Sequence, residues 1–234
     1  MFSGEVSWDL LLMLLCYAYV IVVIIISSKL PEALHVSQKT SRKFLHAMIG
    51  NLPFVIPFFT SNIYPALVAA PFILVTFLAS PYSPFKNSKF EGLANLTEEG
   101  HPLGLVLYAT SYFLLALFFA SEPYVMAAGI LPMAYGDSAA SLIGEKYGKR
   151  KYGPVAKKSL EGSTAMFCGS LLSLAISLIF FSKFYPLPFW NVVLATFAVV
   201  ALTTLAESIS PRGFDNLTVP ILGALTFLVL VGGI

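Results

Sequence analysis

Residues 10–26 read Leu10-Leu11-Leu12-Met13-Leu14-Leu15-Cys16-Tyr17-Ala18-Tyr19-Val20-Ile21-Val22-Val23-Ile24-Ile25-Ile26, without a single charge. Taken with its neighbours as residues 8–28, this run is long enough to cross a bilayer as a helix, which needs about 20 mostly apolar residues. Seven further apolar runs follow, at 44–60, 63–80, 103–120, 124–143, 162–182, 188–208 and 217–234, divided by charged or Pro/Gly-rich stretches. The second carries Pro53 and Pro57, which interrupt the backbone ladder, and the last has Pro220 near its start. Residues 8–28 lack a preceding basic region and a clear small-residue cleavage site, so they are read as an uncleaved first span.

Composition agrees. Apolar residues make up 57% of the 234 and charged residues 11%, about half the roughly 25% of a soluble domain. A soluble fold of this size has too little polar cover for that much apolar surface, so a soluble enzyme and a disordered chain are both excluded. A net charge of +2 is too small to point to nucleic acid. Cys16 and Cys168 each lie inside an apolar run, away from other ligand residues, and read as inert thiols.

The charges orient the chain. With the N-terminus outside, 13 of the 14 Lys and Arg fall in the inner loops 29–43, 81–102, 144–161 and 207–216, and only Lys183 falls outside. This agrees with the positive-inside rule. Nine of the twelve acids share those inner loops or the span ends beside them. The sequence therefore predicts an all-α integral membrane protein of about eight transmembrane helices. Residues 1–234 form one polytopic domain, its polar chemistry gathered at the cytoplasmic interface and its motifs within 40–220.

Three stretches carry chemistry. The first holds Gly136-Asp137-Ser138-Ala139-Ala140-Ser141, Gly144, Gly148 and Lys157-Lys158-Ser159-Leu160-Glu161-Gly162. Asp137 sits about 14 residues into its span, some 20 Å from the outer surface, and an ionisable group inside a membrane is usually functional. The small neighbours permit close approach of a backbone or a phosphate, and Gly144 and Gly148 are expected to allow a tight turn. Lys157 and Lys158 precede a helix start, a ready site for a polyphosphate, although a solvated basic loop also accounts for them. Glu161 is either a metal ligand in reserve or a cap on the helix dipole.

The second stretch is Glu207-Ser208-Ile209-Ser210-Pro211-Arg212-Gly213-Phe214-Asp215-Asn216. Two acids separated by a turn suit Mg²⁺, which is commonly held by one or two carboxylates plus substrate phosphates. The alternative is capping of the flanking helices by Glu207, Asp215 and Asn216. The third stretch is Arg42-Lys43-Phe44-Leu45-His46, then Asn51. Arg42 and His46 share a helical face, fit to hold a nucleotide phosphate or to anchor on anionic lipid. A weaker signal, Glu99-Gly100-His101-Pro102, offers His101 as a substrate contact or as part of a solvated loop. No Walker A, kinase glycine loop, HExxH or GxSxG sequence is present.

As a set, these motifs resemble the CTP-dependent lipid-alcohol kinases: dolichol or polyprenol kinases, phytol kinases and CTP-using diacylglycerol kinases. The middle stretch also resembles the phosphatidate cytidylyltransferases, but their closing His-Gly-Gly signature is absent and Glu207 to Asn216 stands in its place. The resemblance implies transfer of the CTP γ-phosphate to a dolichol- or polyprenol-type alcohol. It also implies that Asp137, Glu207 and Asp215 are the catalytic and Mg²⁺-binding acids. Lys157, Lys158, Arg42, Lys43, Gly136, Gly144 and Gly148 would then face the nucleotide, with His46, Asn51, Asn216, Glu161 and His101 around the substrate. The alternatives are a CDP-lipid-forming cytidylyltransferase and a transporter. The second is disfavoured because the charges crowd one face and no repeat is visible. The expected setting is multi-pass, in a cell membrane or endoplasmic reticulum membrane.

Overall fold

The run at 10–26 lies within one continuous helix, α1 (Phe2–Leu34), whose 33 residues reach about 50 Å. The structure is a computed structural model and describes residues 2–84, 93, 102–152, 158–211 and 213–232, with side chains from Glu5 onward. Polar side-chain tips pin α1 to its neighbours. Tyr17 Oη donates to Leu67 O at 2.8 Å and Tyr19 Oη to Met48 O at 2.6 Å. At the far end, the buried Asp9 carboxylate accepts the N–H and hydroxyl of Thr60, both at 2.7 Å, and the Ser61 N–H at 3.1 Å.

The segment expected to span at 44–60 is broken. Helix α2 (Gln38–Ile49) begins at Ser37, whose side chain accepts the Thr40 N–H at 3.1 Å, and it stops at Gly50. Pro53 and Pro57 supply no N–H for an α ladder, so the chain continues as a 3₁₀ turn, Leu52–Phe58. Helix α2 also buries a polar face, Ser41, Arg42, Lys43 and His46 with Leu45, the reverse of a lipid-facing helix.

Helices α3 (Tyr64–Ala79) and α4 (Gly104–Phe119) pack together. The next helical path has three parts: α5 (Pro123–Leu131), a π turn (Pro132–Gly136) and α6 (Asp137–Tyr147). Two short strands, β1 (Lys151–Tyr152) and β2 (Lys158–Ser159), pair antiparallel over two residues each and leave the protein all-α, as expected. Helices α7 (Leu160–Phe181), α8 (Phe189–Ile209) and α9 (Asp215–Gly232) complete the chain.

Helix α5 is the axis of the fold. Every residue from Val125 to Leu131 is buried, against α9, α7, α4 and the 3₁₀ turn. Small residues permit the α5–α9 crossing: a Cβ on Gly223 would lie 2.7 Å from Ala128 O, and one on Gly129 would strike Pro220 O. Large apolar side chains such as Leu14, Leu172, Ile176, Ile179 and Leu194 face outward, as a hydrocarbon solvent favours. Phe189 and Trp190 are exposed at the start of α8, where interfacial aromatics belong.

Each of the eight expected segments falls on helical structure. Among the described residues four helices, α1, α7, α8 and α9, are long and apolar enough to cross a membrane. The others are shorter or interrupted: α3 and α4 have 16 residues each, α2 ends at Gly50, and the path through Asp137 contains the π turn.

Candidate active site

Three helix ends meet where the polar face of α2 is buried. Asp137 opens α6 immediately after the π turn, and its N–H donates to Pro132 O, five residues back. Glu207 lies in the last turn of α8 and Asp215 opens α9. Between them the chain reverses through Pro211 and Gly213, whose φ of 85° is one that side-chain-bearing residues rarely adopt. The Ser210 and Thr218 hydroxyls, 2.9 Å apart, close this turn.

The result is a cluster in which one oxygen each of Asp137, Glu207 and Asp215 lie within 4.8 Å of one another. Asp137 and Glu207 are buried. Two lysines answer them. Lys43, buried on α2, pairs with Asp137, and Lys158, held on β2, pairs with Glu207. Burial acts to lower the Lys158 pKa, but Glu207, Asp137 and Asp215 outweigh it and hold the ammonium above the ordinary lysine range. Among the described residues Asp215 has no ion pair, and Glu207 Oε2 is buried without a hydrogen-bond partner. Hard oxygens from three helices and a buried acceptor without a donor fit a divalent cation such as Mg²⁺.

The other expected site residues distribute around this core. Arg42 is buried beside Lys43. His46, one turn on, is buried with its ring centroid 4.4 Å from that of Tyr108, and Tyr108 Oη donates to His46 O at 2.9 Å. Asn216 Nδ2 donates to Gly104 O at 3.1 Å, fixing the start of α9 against α4. Asn51 Oδ1 accepts from Tyr135 Oη at 2.6 Å and braces the π turn. Glu161 lies outside the carboxylate cluster. It accepts the backbone N–H groups of Lys149 at 3.2 Å and Arg150 at 3.3 Å, tying down the hairpin entry. Lys157 and His101 lie outside the described residues.

The glycines have a different local reason from the one expected. Gly148 has φ −67° and ψ 100°, open to any residue. What it lacks is room, since a Cβ there would lie 2.6 Å from Ser159 Oγ. Gly136 and Gly144 lie in the α6–α7 seam: a Cβ on Gly144 would be 3.4 Å from Gly162 Cα, and one on Gly136 would strike Ser170 Oγ. This seam brings Asp137 and the Lys158 hairpin to the same place. Ser138 extends the junction, its hydroxyl donating to Ala134 O at 2.5 Å and lying 3.2 Å from Lys43 O.

Sequence reasoning passed over Tyr108, Tyr112 and Tyr135. Tyr108 and Tyr112 stand four apart on an apolar helix, a spacing that puts both hydroxyl-bearing rings on one face. That spacing was the available signal.

Comparison with known proteins agrees with the motifs. The chain is 38% identical over 129 residues to a phytol kinase of Synechocystis sp., covering 53% of this chain and 53% of the relative. It is 32% identical over 195 residues to a probable chloroplastic phytol kinase of Glycine max, covering 79% and 64%. It is 28% identical over 211 residues to the dolichol kinase of Saccharomyces cerevisiae, covering 86% and 38%. The chain thus spans less than two thirds of the length of each of these relatives. No protein-family model matches it, and no solved structure matches it.

Proposed function

We propose that this chain is a lipid-alcohol kinase, transferring the γ-phosphoryl group of CTP to the hydroxyl of a long-chain isoprenoid alcohol of the phytol or polyprenol type. The observation that carries the reading is the convergence of Asp137, Glu207 and Asp215 from three helices, opposed by Lys43 and Lys158. Phosphoryl transfer asks a protein chiefly for positioning and charge neutralisation. A cluster of acids and rotatable ammoniums at helix ends supplies both.

In the proposed reaction the alcohol oxygen attacks the γ-phosphorus, the bond from that phosphorus to the β–γ bridging oxygen breaks, and CDP leaves. The hydroxyl proton passes to a carboxylate of the cluster that is not holding metal. Lys43 and Lys158 present compact ammoniums with three donors each, suited to following phosphate oxygens as charge moves. Two of Asp137, Glu207 and Asp215 would hold Mg²⁺, which when bound would neutralise charge on the nucleotide phosphates, and the third is left to take the proton. Arg42 and Lys157 are assigned to the triphosphate, and Asn216 holds the start of α9 in place.

The one-sided distribution of basic residues supports a cytoplasmic catalytic face and eight crossings, with residues 1–234 acting as one domain. The test is purified protein in lipid nanodiscs with γ-labelled CTP, Mg²⁺ and a panel of phytol, geranylgeraniol and polyprenol. The expected products are CDP and a labelled lipid monophosphate. Release of pyrophosphate with a CDP-lipid would overturn the kinase reading in favour of nucleotidyl transfer.

A further inference from the structure

Five charged side chains share the place where α2, α6, α8, α9 and β2 meet: Asp137, Glu207 and Asp215 against Lys43 and Lys158. Three carboxylates and two ammoniums leave one net negative charge among them. A divalent cation carries two positive charges. The cluster is therefore one negative charge short of balancing a free metal ion, because ammoniums already neutralise two of its three acids.

The two lysines are not equivalent. Lys43 pairs with Asp137 from inside α2, its side chain 7% exposed on a helix packed against α1 and the π turn. Burial holds that ammonium in place. Lys158 lies on a strand of two residues, has a side chain 26% exposed, and pairs with Glu207. Asp137 and Asp215 act on its charge as well, so it faces all three acids at once. Its flexible stem and partial exposure let this ammonium turn outward while the backbone stays paired to β1. Among the described residues Glu207 Oε2 has no hydrogen-bond partner, so the carboxylate that Lys158 meets is also one with a buried oxygen to offer.

From this arrangement we infer that Lys158 determines which form of the metal the site accepts: a divalent cation together with a triphosphate is bound well, and a free cation weakly. Ammonium and metal are drawn to the same carboxylates, and like charges a few ångströms apart repel strongly where water is excluded. A triphosphate removes the conflict, since its oxygens accept the ammonium and bind the cation as well. The inference rests on the reading of this site as one for CTP and Mg²⁺, and it assigns to Lys158 the coupling between the two. That coupling is reciprocal. The factor by which CTP tightens the metal is the factor by which the metal tightens CTP.

Mn²⁺ binding to the purified protein in lipid nanodiscs, followed by electron paramagnetic resonance, tests this without turnover. In the absence of nucleotide, Lys158→Met should bind Mn²⁺ at least fivefold more tightly than the parent. Lys158→Arg, which keeps the charge, should bind it as weakly as the parent. A smaller gain in Lys158→Met, or a gain as large in Lys158→Arg, overturns the inference. The parent supplies the arm that survives a folding defect in either variant. Its Mn²⁺ affinity, corrected for metal held by CTP in solution, should rise at least tenfold when CTP is bound, and a smaller rise overturns the inference. The kinase reading is judged separately, by the products that the parent forms from γ-labelled CTP. CDP and a lipid phosphate without the Mn²⁺ effects retain that reading and lose the inference. The Mn²⁺ effects with release of pyrophosphate retain the inference and lose the kinase.

Discussion

Lys43 and Asp137, ninety-four residues apart, form a buried ion pair that joins α2 to the first turn of α6. Each needs the other, because a charge removed from water without a partner is strongly destabilising. Lys43→Ala should therefore lower stability by about 3–5 kcal/mol as well as abolish turnover. Lys43→Ala with Asp137→Asn should recover much of the stability and none of the activity. Thermal unfolding in detergent reads the first quantity, and a stable, active Lys43→Ala protein would remove the pair from the mechanism.

Asp215 is the acid of the cluster without an ion pair among the described residues, which leaves it the most available for a cation. Asp215→Asn should raise the Mg²⁺ concentration for half-maximal activity at least tenfold, with little loss of stability. Glu207→Gln should show the same metal dependence together with weaker retention of Lys158. Activity titrated against Mg²⁺, with Mn²⁺ binding followed by electron paramagnetic resonance, checks both; unchanged metal affinity in each variant contradicts the assignment.

With Lys158 on the nucleotide phosphates, as proposed, Lys158→Ala should remove a charge-assisted contact worth roughly 1.5–3 kcal/mol, or about 10- to 150-fold in CTP affinity. Equilibrium nucleotide binding in the absence of alcohol measures it. Unaltered CTP binding would confine Lys158 to balancing Glu207.

The raised pKa of Lys158 carries a pH consequence with a definite sign. Its ion pair contributes stability that is fully present below the ordinary lysine value of 10.5 and is lost as pH rises through the higher folded value. Stability of the parent minus that of Lys158→Met should therefore stay flat from neutral pH to about pH 10 and fall only above it. A decline centred near pH 8 would show that the acids do not hold the ammonium charged.

The hairpin carrying Lys151 should lie on the cytoplasmic side. In a protein with Cys16 and Cys168 replaced, Lys151→Cys should react with a membrane-impermeant maleimide in inside-out vesicles and be protected in right-side-out ones. The opposite pattern would move the site to the other face.

Much of the helical framework was readable from hydropathy, because apolar runs and their Pro/Gly dividers act locally. Pro53 and Pro57 announced the break after α2 for the same reason. Asp137, Glu207 and Asp215 were identifiable because acids at span ends are unusual wherever they pack. Their partners were not. Nothing local tells Lys43 from Arg42 as the residue that meets Asp137, and the pairing of Lys158 with Glu207 depends on a hairpin two residues deep. Gly148 shows a subtler gap: its type was noticed, but crowding by Ser159 belongs to tertiary packing rather than to turn propensity.

The π turn at Pro132–Gly136 bears on how such a site arises. A π turn holds one residue more than an α turn, so whatever follows it is rotated by about 100° relative to an uninterrupted helix. Upstream, α5 faces neighbours on all sides and serves only to pack. Downstream, the same helix presents Asp137 to two other acids. The surplus residue works as a phase shift, letting the interior of the bundle stay as it is while the register of everything beyond it is reset. Deleting Ala134 would return the path to a plain α-helix and leave every side chain of the cluster present, yet aim the Asp137 carboxylate at a different neighbour.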